Sequence, residues 1–284
     1  MTSDLEKSFK AKIRNIAKEK SLNPAVLWQN LVLERFLVRM ANSVYAKHFI
    51  LKGGILLSKL IEIGRETKDL DFSVKGLGKE KEQIFEVMTA ISETQVDDGF
   101  SFQDVAIEEI PHPHMKYPVV RVSMYGYFGK TRFRVFIDLG YGDWVHPKTG
   151  TLPLISSSKG VLFESTVEIQ HYPVEFVFAE KLQTVIARYQ ENSRMKDFHD
   201  LYLMTQKENL FSEKFESVLR GVFEHRETPF ALPINFSKEV VDRLQAYWDG
   251  HLRGLTKGHV MPNKLDDLVG IINAWLGEKI VLEA

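Results

Sequence analysis

Apolar residues recur at helical spacing at the start of the chain, where Leu5, Phe9, Ile13 and Ile16 define one stripe and Lys7, Lys10, Arg14 and Lys18 a second, basic one. This pattern predicts an amphipathic first helix. Asn23 followed by Pro24 supplies an N-cap and a first helical residue, opening a second helix that runs to about Met40. HFIL (48–51) reads as a short buried strand stopped by Gly53-Gly54, and ILLSKLIEI after the glycines has helical length and periodicity. DLDFSV (69–74) predicts the next strand and residues 79–93 a helix. From residue 102 the period changes to two. FQDVAIEEI, PVVRVSMYGYF and TRFRVFIDL alternate or carry β-branched runs between turn residues. In the last of these, Phe133, Val135 and Ile137 share one face, and Arg132, Arg134, Phe136 and Asp138 the other. Residues 140–160, rich in Gly, Pro and Ser, are expected to be a loop at a domain boundary. Beyond residue 175 five helical segments follow, and Trp248 and Trp275 are expected in their core.

Composition narrows the class without changing this picture. With 284 residues, 44% hydrophobic and 26% charged, the chain can bury a substantial core. The absence of cysteine excludes disulfides and thiolate metal sites. A charged N-terminus without an apolar stretch, and no run approaching the ~20 apolar residues of a membrane span, point to a cytoplasmic protein with no membrane partner. A net charge of −1 argues against a generally basic coat and leaves local basic patches open.

Three features can carry chemistry. LKGGILLS (51–58) joins a strand, a Gly-Gly turn and a helix start, where backbone N–H groups and the helix terminus favour a phosphate. The same dipeptide also serves as a plain tight turn. Asp69 and Asp71, two apart on a strand, crowd like charges onto one face unless a cation lies between them. They suit a Mg²⁺-dependent phosphoryl or nucleotidyl transfer, or are simply an exposed pair at a strand start. Asp138, at the end of FRVFID, would add the third carboxylate of a two-metal site, or cap a turn. HPHMKY (112–117) has two histidines and no evident third ligand, so it reads as a turn and not a zinc site.

In combination, Gly-Gly, Asp-Leu-Asp and a later strand ending in Asp resemble the minimal nucleotidyltransferase fold of the DNA polymerase β superfamily. The string HFILKGGILLSKLIEIGRETKDLDFSV is similar to the first motifs of the AbiEii-type nucleotidyltransferase toxins, the MenT proteins among them. Leu51, Lys52, Gly53, Gly54, Arg65, Thr67, Asp69, Leu70 and Asp71 match that pattern. AEKLQTVIAR (179–188) and RMKDFHDLYLM (194–204) resemble the family's last motif, so the likeness spans about residues 25 to 205. One departure is Ile55, where relatives often carry Thr; the next hydroxyl is Ser58.

The resemblance implies an α/β (α+β) fold: a mixed sheet flanked by helices over residues 1–160, and a helical domain over 161–284 that contributes the lysine/aspartate motif. It implies that Lys52, Gly53, Gly54, Ser58, Arg65, Lys181 and Asp197 serve the nucleotide. Asp69, Asp71 and Asp138 would bind Mg²⁺ (or Mn²⁺), with Asp138 the base for the incoming hydroxyl. Lys181 would neutralise the phosphates, while Asp197 and Asp200 would fix that lysine or contact base or acceptor. Asp200 is accordingly counted with Asp69, Asp71, Asp138 and Lys181 among the catalytic residues. The implied reaction moves NMP from an NTP to an RNA acceptor, a tRNA 3′ end in relatives of this kind, as the toxin of a toxin–antitoxin or phage-defence system with a cognate antitoxin. Two basic surfaces could receive RNA: the first-helix stripe, and Arg121, Arg132 and Arg134 on the sheet with Lys130 in the turn before them. Rival readings are a nucleotide-binding regulatory or protein-directed module on the same fold, and a carboxylate-metal nuclease. The intact carboxylates and lysine favour transfer, and a nuclease has no use for a triphosphate-binding turn.

Overall fold

The structure is a computed structural model that describes residues 3–110, 119–255 and 259–280. The HPHMKY segment lies outside the described residues, as does the Leu5 side chain. Two compact units emerge: Met1–Leu60, Glu66–Asp143 and Pro147–His171 form the first, and Ile61–Arg65, Trp144–His146 and Tyr172–Ala284 the second.

The first unit opens with α1 (Ser3–Glu19) and α2 (Pro24–Asn42). The Asn23 side chain caps α2 by accepting from the Ala25 N–H at 2.8 Å, with Pro24 in the first turn. β1 (Phe49–Lys52), α3 (Gly53–Leu60), β2 (Asp69–Val74), α4 (Lys81–Ser92), β3 (Phe100–Ile110), β4 (Val119–Phe128) and β5 (Thr131–Tyr141) follow. β6 (Lys148–Pro153), the two-residue strands β7 (Ser156–Ser157) and β8 (Gly160–Val161), and β9 (Thr166–His171) complete it. Among the described residues seven strands form one mixed sheet, in the order β3-β4-β5-β2-β1-β9-β6. β2 runs parallel to β5 and antiparallel to β1; β1 runs parallel to β9.

Two details differ from the sequence reading. The 140–160 stretch, expected as a loop, contains β6, which pairs antiparallel with β9 at the sheet edge. Its sequence, KTGTLP, buries only Leu152, so backbone pairing and not an apolar run makes it a strand. The helix after the glycines ends at Leu60, and Ile61 and Ile63 are instead buried in the second unit.

Alternation in β5 has the predicted consequence: Val135, Ile137 and Leu139 are buried, while Arg132 and Arg134 are exposed. Leu70, Phe72, Val122 and Phe36 are also fully enclosed, each contributing ~1.5–3 kcal/mol relative to exposure. α2 is buried over most of its second half, including three charged residues, which the interior tolerates only when paired. Arg39 donates a two-pronged bond to Asp98 at 2.8 and 2.9 Å. Glu34 accepts from Lys59 and from the Ile155 N–H.

The second unit is helical, with α5 (Val174–Arg188), α6 (Met195–Thr205), α7 (Phe215–His225), α8 (Lys238–Arg253) and α9 (Leu265–Lys279). Phe178, Phe215 and Trp275 pack at mutual ring distances of 5.3 Å. Trp248 is wholly buried and its indole N–H donates to the Pro262 carbonyl at 2.9 Å.

Candidate active site

Sheet register gathers the first group of predicted residues. Lys52 lies opposite Asp71, Asp71 opposite Asp138, and Asp138 opposite Arg121. Directly paired residues project to the same side, so these four form one transverse row across β1, β2, β5 and β4. Asp69 stands two residues before Asp71 on that face, while Leu70 and Phe72 enter the core on the other.

The Gly-Gly turn and the aspartate pair meet physically. Gly53 begins α3 at φ +71°, where a side chain is strained. A Cβ there would stand 1.9 Å from Asp71 Oδ2, so the turn closes against this carboxylate only because position 53 lacks a side chain. Lys52 is paired with Asp143, Nζ to Oδ2 at 2.5 Å. Asp143 was not singled out in the sequence, and its only signal is its place two residues after β5. The Ser58 hydroxyl, one turn into α3, donates back to the Ile55 carbonyl at 2.8 Å.

Arg121 grips Asp138 with Nε and Nη2, both at 2.7 Å. Those bonds hold the Arg121 guanidinium above its ordinary pKa against the cost of burial, aided by the charges of Asp138, Asp69 and Asp71. Asp69 makes no side-chain hydrogen bond among the described residues. No three His, Asp or Glu side chains among the described residues are disposed to hold an ion together. Asp69 and Asp71 nevertheless are hard oxygen donors of the type Mg²⁺ takes. The fork of Arg121 occupies the third predicted donor.

The second group assembles within the helical unit. Asp200, fully enclosed on α6, accepts from Arg65 Nε and Nη2 at 2.7 and 2.6 Å and from Lys181 at 2.8 Å. Asp197, one turn earlier, accepts from Lys181 and Arg194 at 2.9 and 2.8 Å. The spacing of three on α6 brings both carboxylates to Lys181 on α5. Burial opposes the Lys181 charge, but Asp197 and Asp200 outweigh it and hold its pKa above the ordinary value. Burial likewise opposes ionised Asp197 and Asp200, yet Lys181, with Arg194 or Arg65, keeps both below the ordinary carboxylate range.

Beside this network lies a histidine pair that sequence reasoning missed. His199 Nε2 donates to the Ile63 carbonyl at 2.7 Å, leaving Nδ1 to accept from His251 Nε2 at 3.0 Å. Burial pushes the His199 pKa down to about 4. Neighbours on separate segments made this pair illegible in the sequence.

The sequence model of the family described as "Nucleotidyl transferase AbiEii toxin, Type IV TA system" matches residues 35–268. The chain belongs to this family. It is therefore an enzyme, a nucleotidyltransferase of the toxin–antitoxin class. No curated protein sequence matches it. Among solved structures it is similar to MenT4, a nucleotidyltransferase toxin from Mycobacterium tuberculosis H37Rv, with 15% identity and a TM-score of 0.60. That likeness covers 97% of this chain and 90% of the other. JHP933 from Helicobacter pylori shares 15% identity at a TM-score of 0.53, over 91% and 93% of the two chains. These likenesses are of fold, and they agree with the mixed sheet and flanking helices described above.

Proposed function

We propose that this toxin transfers NMP from an NTP to an RNA acceptor, a tRNA 3′ end, with release of pyrophosphate, and that a cognate antitoxin restrains it. The observation that carries the reading is the row Asp71–Asp138 with Asp69 beside it, closed by a glycine turn at a helix start. Asp69 and Asp71 would hold Mg²⁺, and the ion would supply charge neutralisation at the triphosphate and activation of the attacking hydroxyl. The Gly53 and Gly54 backbone amides, at the positive end of α3, would receive phosphate oxygens. Asp138, once released by Arg121, would accept the proton of the incoming hydroxyl. Lys181 is proposed as the phosphate-neutralising lysine on the strength of the family motif. Asp197 and Asp200 would keep it charged and fixed, and Arg65 would in turn hold Asp200. Lys52, tied to Asp143, is a positioning group for the turn.

The test is incubation with each α-labelled NTP, Mg²⁺ and total tRNA, followed by separation of RNA from protein. Label on RNA is expected, lost in Asp69→Ala and in Asp71→Ala while circular dichroism stays unchanged. Label on protein alone, or full activity in either variant, would overturn the proposal.

A further inference from the structure

On the row's own face, β4 and β5 carry an alternation of arginines and rings. Tyr127 lies opposite Arg132, Tyr125 opposite Arg134, and Ser123 opposite Phe136. The Arg132 guanidinium carbon stands 4.5 Å from the Tyr125 ring centroid. Arg134 stands 5.9 Å from Tyr125 and 5.0 Å from Phe136, and Arg121 5.4 Å from Phe136. Arg132 and Arg134 are exposed, and no carboxylate pairs with either among the described residues. Each guanidinium lies over a ring instead of against a carboxylate. The strip ends at Asp138, and the six steps of strand from Arg132 to Asp138 span about 20 Å.

We propose that this face of β4 and β5 is a docking strip for single-stranded RNA, which would lead an acceptor end toward Asp138; the inference rests on the RNA-acceptor reading above. Charge and shape point to this occupant. Arg132 and Arg134 have no ion-pair partner among the described residues, as phosphates require, and rings and guanidinium planes offer faces on which unstacked bases can lie. A duplex presents no free base faces and gains only the phosphate part. A protein partner would want carboxylates instead, and is an outcome the test separates.

The probe is a fluorescein-labelled single-stranded RNA of about ten nucleotides, near the size of known single-strand sites, titrated into the full chain without NTP. Arg132→Gln/Arg134→Gln is expected to weaken binding at least tenfold and to flatten the log–log salt dependence by about 1.4, two phosphates' worth. Tyr125→Leu should weaken binding about tenfold with the slope unchanged, because stacking releases no counterions. Arg132→Lys/Arg134→Lys keeps both charges, and is expected to keep the slope while losing several-fold in affinity. NTP binding should be unaltered in all three, which also confirms folding. Wild-type affinity and slope in the Gln or Lys pair would overturn the strip, as would a wild type that fails to bind the RNA. A wild type that binds RNA through the strip but labels only protein would overturn the acceptor reading and leave the strip standing. RNA labelling with an unchanged KM for RNA in the Gln pair would do the reverse.

Discussion

Asp200→Asn removes one charge from a fully enclosed site while preserving shape, and should destabilise the helical unit by about 3–5 kcal/mol, the usual cost of removing one partner of a buried ion pair. The geometry supports the figure. Asp200 accepts three charge-assisted bonds, two from Arg65 and one from Lys181, and Arg65 and Lys181 are themselves only 8% and 11% exposed. In the variant, Lys181 would keep Asp197 but lose its bond to the second carboxylate, and Arg65 would lose the two-pronged bond to Asp200. A loss of this size is a large fraction of the ~5–15 kcal/mol that holds a typical domain together. The assay is urea unfolding followed by circular dichroism, comparing midpoint and slope with wild type. Adding Arg65→Gln to Asp200→Asn should cost less than the two single changes summed, because both changes break the same Arg65–Asp200 pair. A single variant within about 1 kcal/mol of wild type would refute the claim that this carboxylate organises the unit, since surface-type pairs cost only that much.

Gly53→Ala should leave the fold largely intact yet cut transfer at least a hundredfold, measured as labelled RNA per minute, because the new methyl displaces Asp71 and the turn strains at positive φ. Stability should fall as pH drops from about 6.5 toward 4, because unfolded histidine binds a proton over that range while neutral His199 does not; the total is about 3 kcal/mol. His199→Asn should reduce that dependence in urea midpoints taken across the range, the remainder coming from His251, whose pKa burial also lowers. Arg121→Ala, breaking a partly exposed pair, should change the unfolding free energy by no more than about 1 kcal/mol.

Much of this was legible in the sequence, and the parts that were not have physical causes. α2 and β2 could be read closely because a cap, a proline and an apolar run mark them locally. β6 escaped because it is a polar edge strand defined by the partner it bonds to. The carboxylates could be named from spacing and resemblance. That Asp71 abuts Gly53, or that Asp138 lies in the grip of Arg121, depends on strand register, which one sequence does not print. The same holds for Asp200. Its motif position is evident, but its enclosure by Arg65, 135 residues earlier, follows only from the folded chain.

That long-range pairing bears on how such a protein can be dismantled. Ile61–Arg65 and Trp144–His146 belong to the helical unit although the flanking chain builds the sheet. No single cut therefore yields two whole units: a fragment beginning at Tyr172 would carry Asp200 without Arg65 and His199 without the Ile63 carbonyl. The two units are interlaced along the chain like threads in one weave, so neither could have been acquired, lost or exchanged as a cassette without unpicking the other.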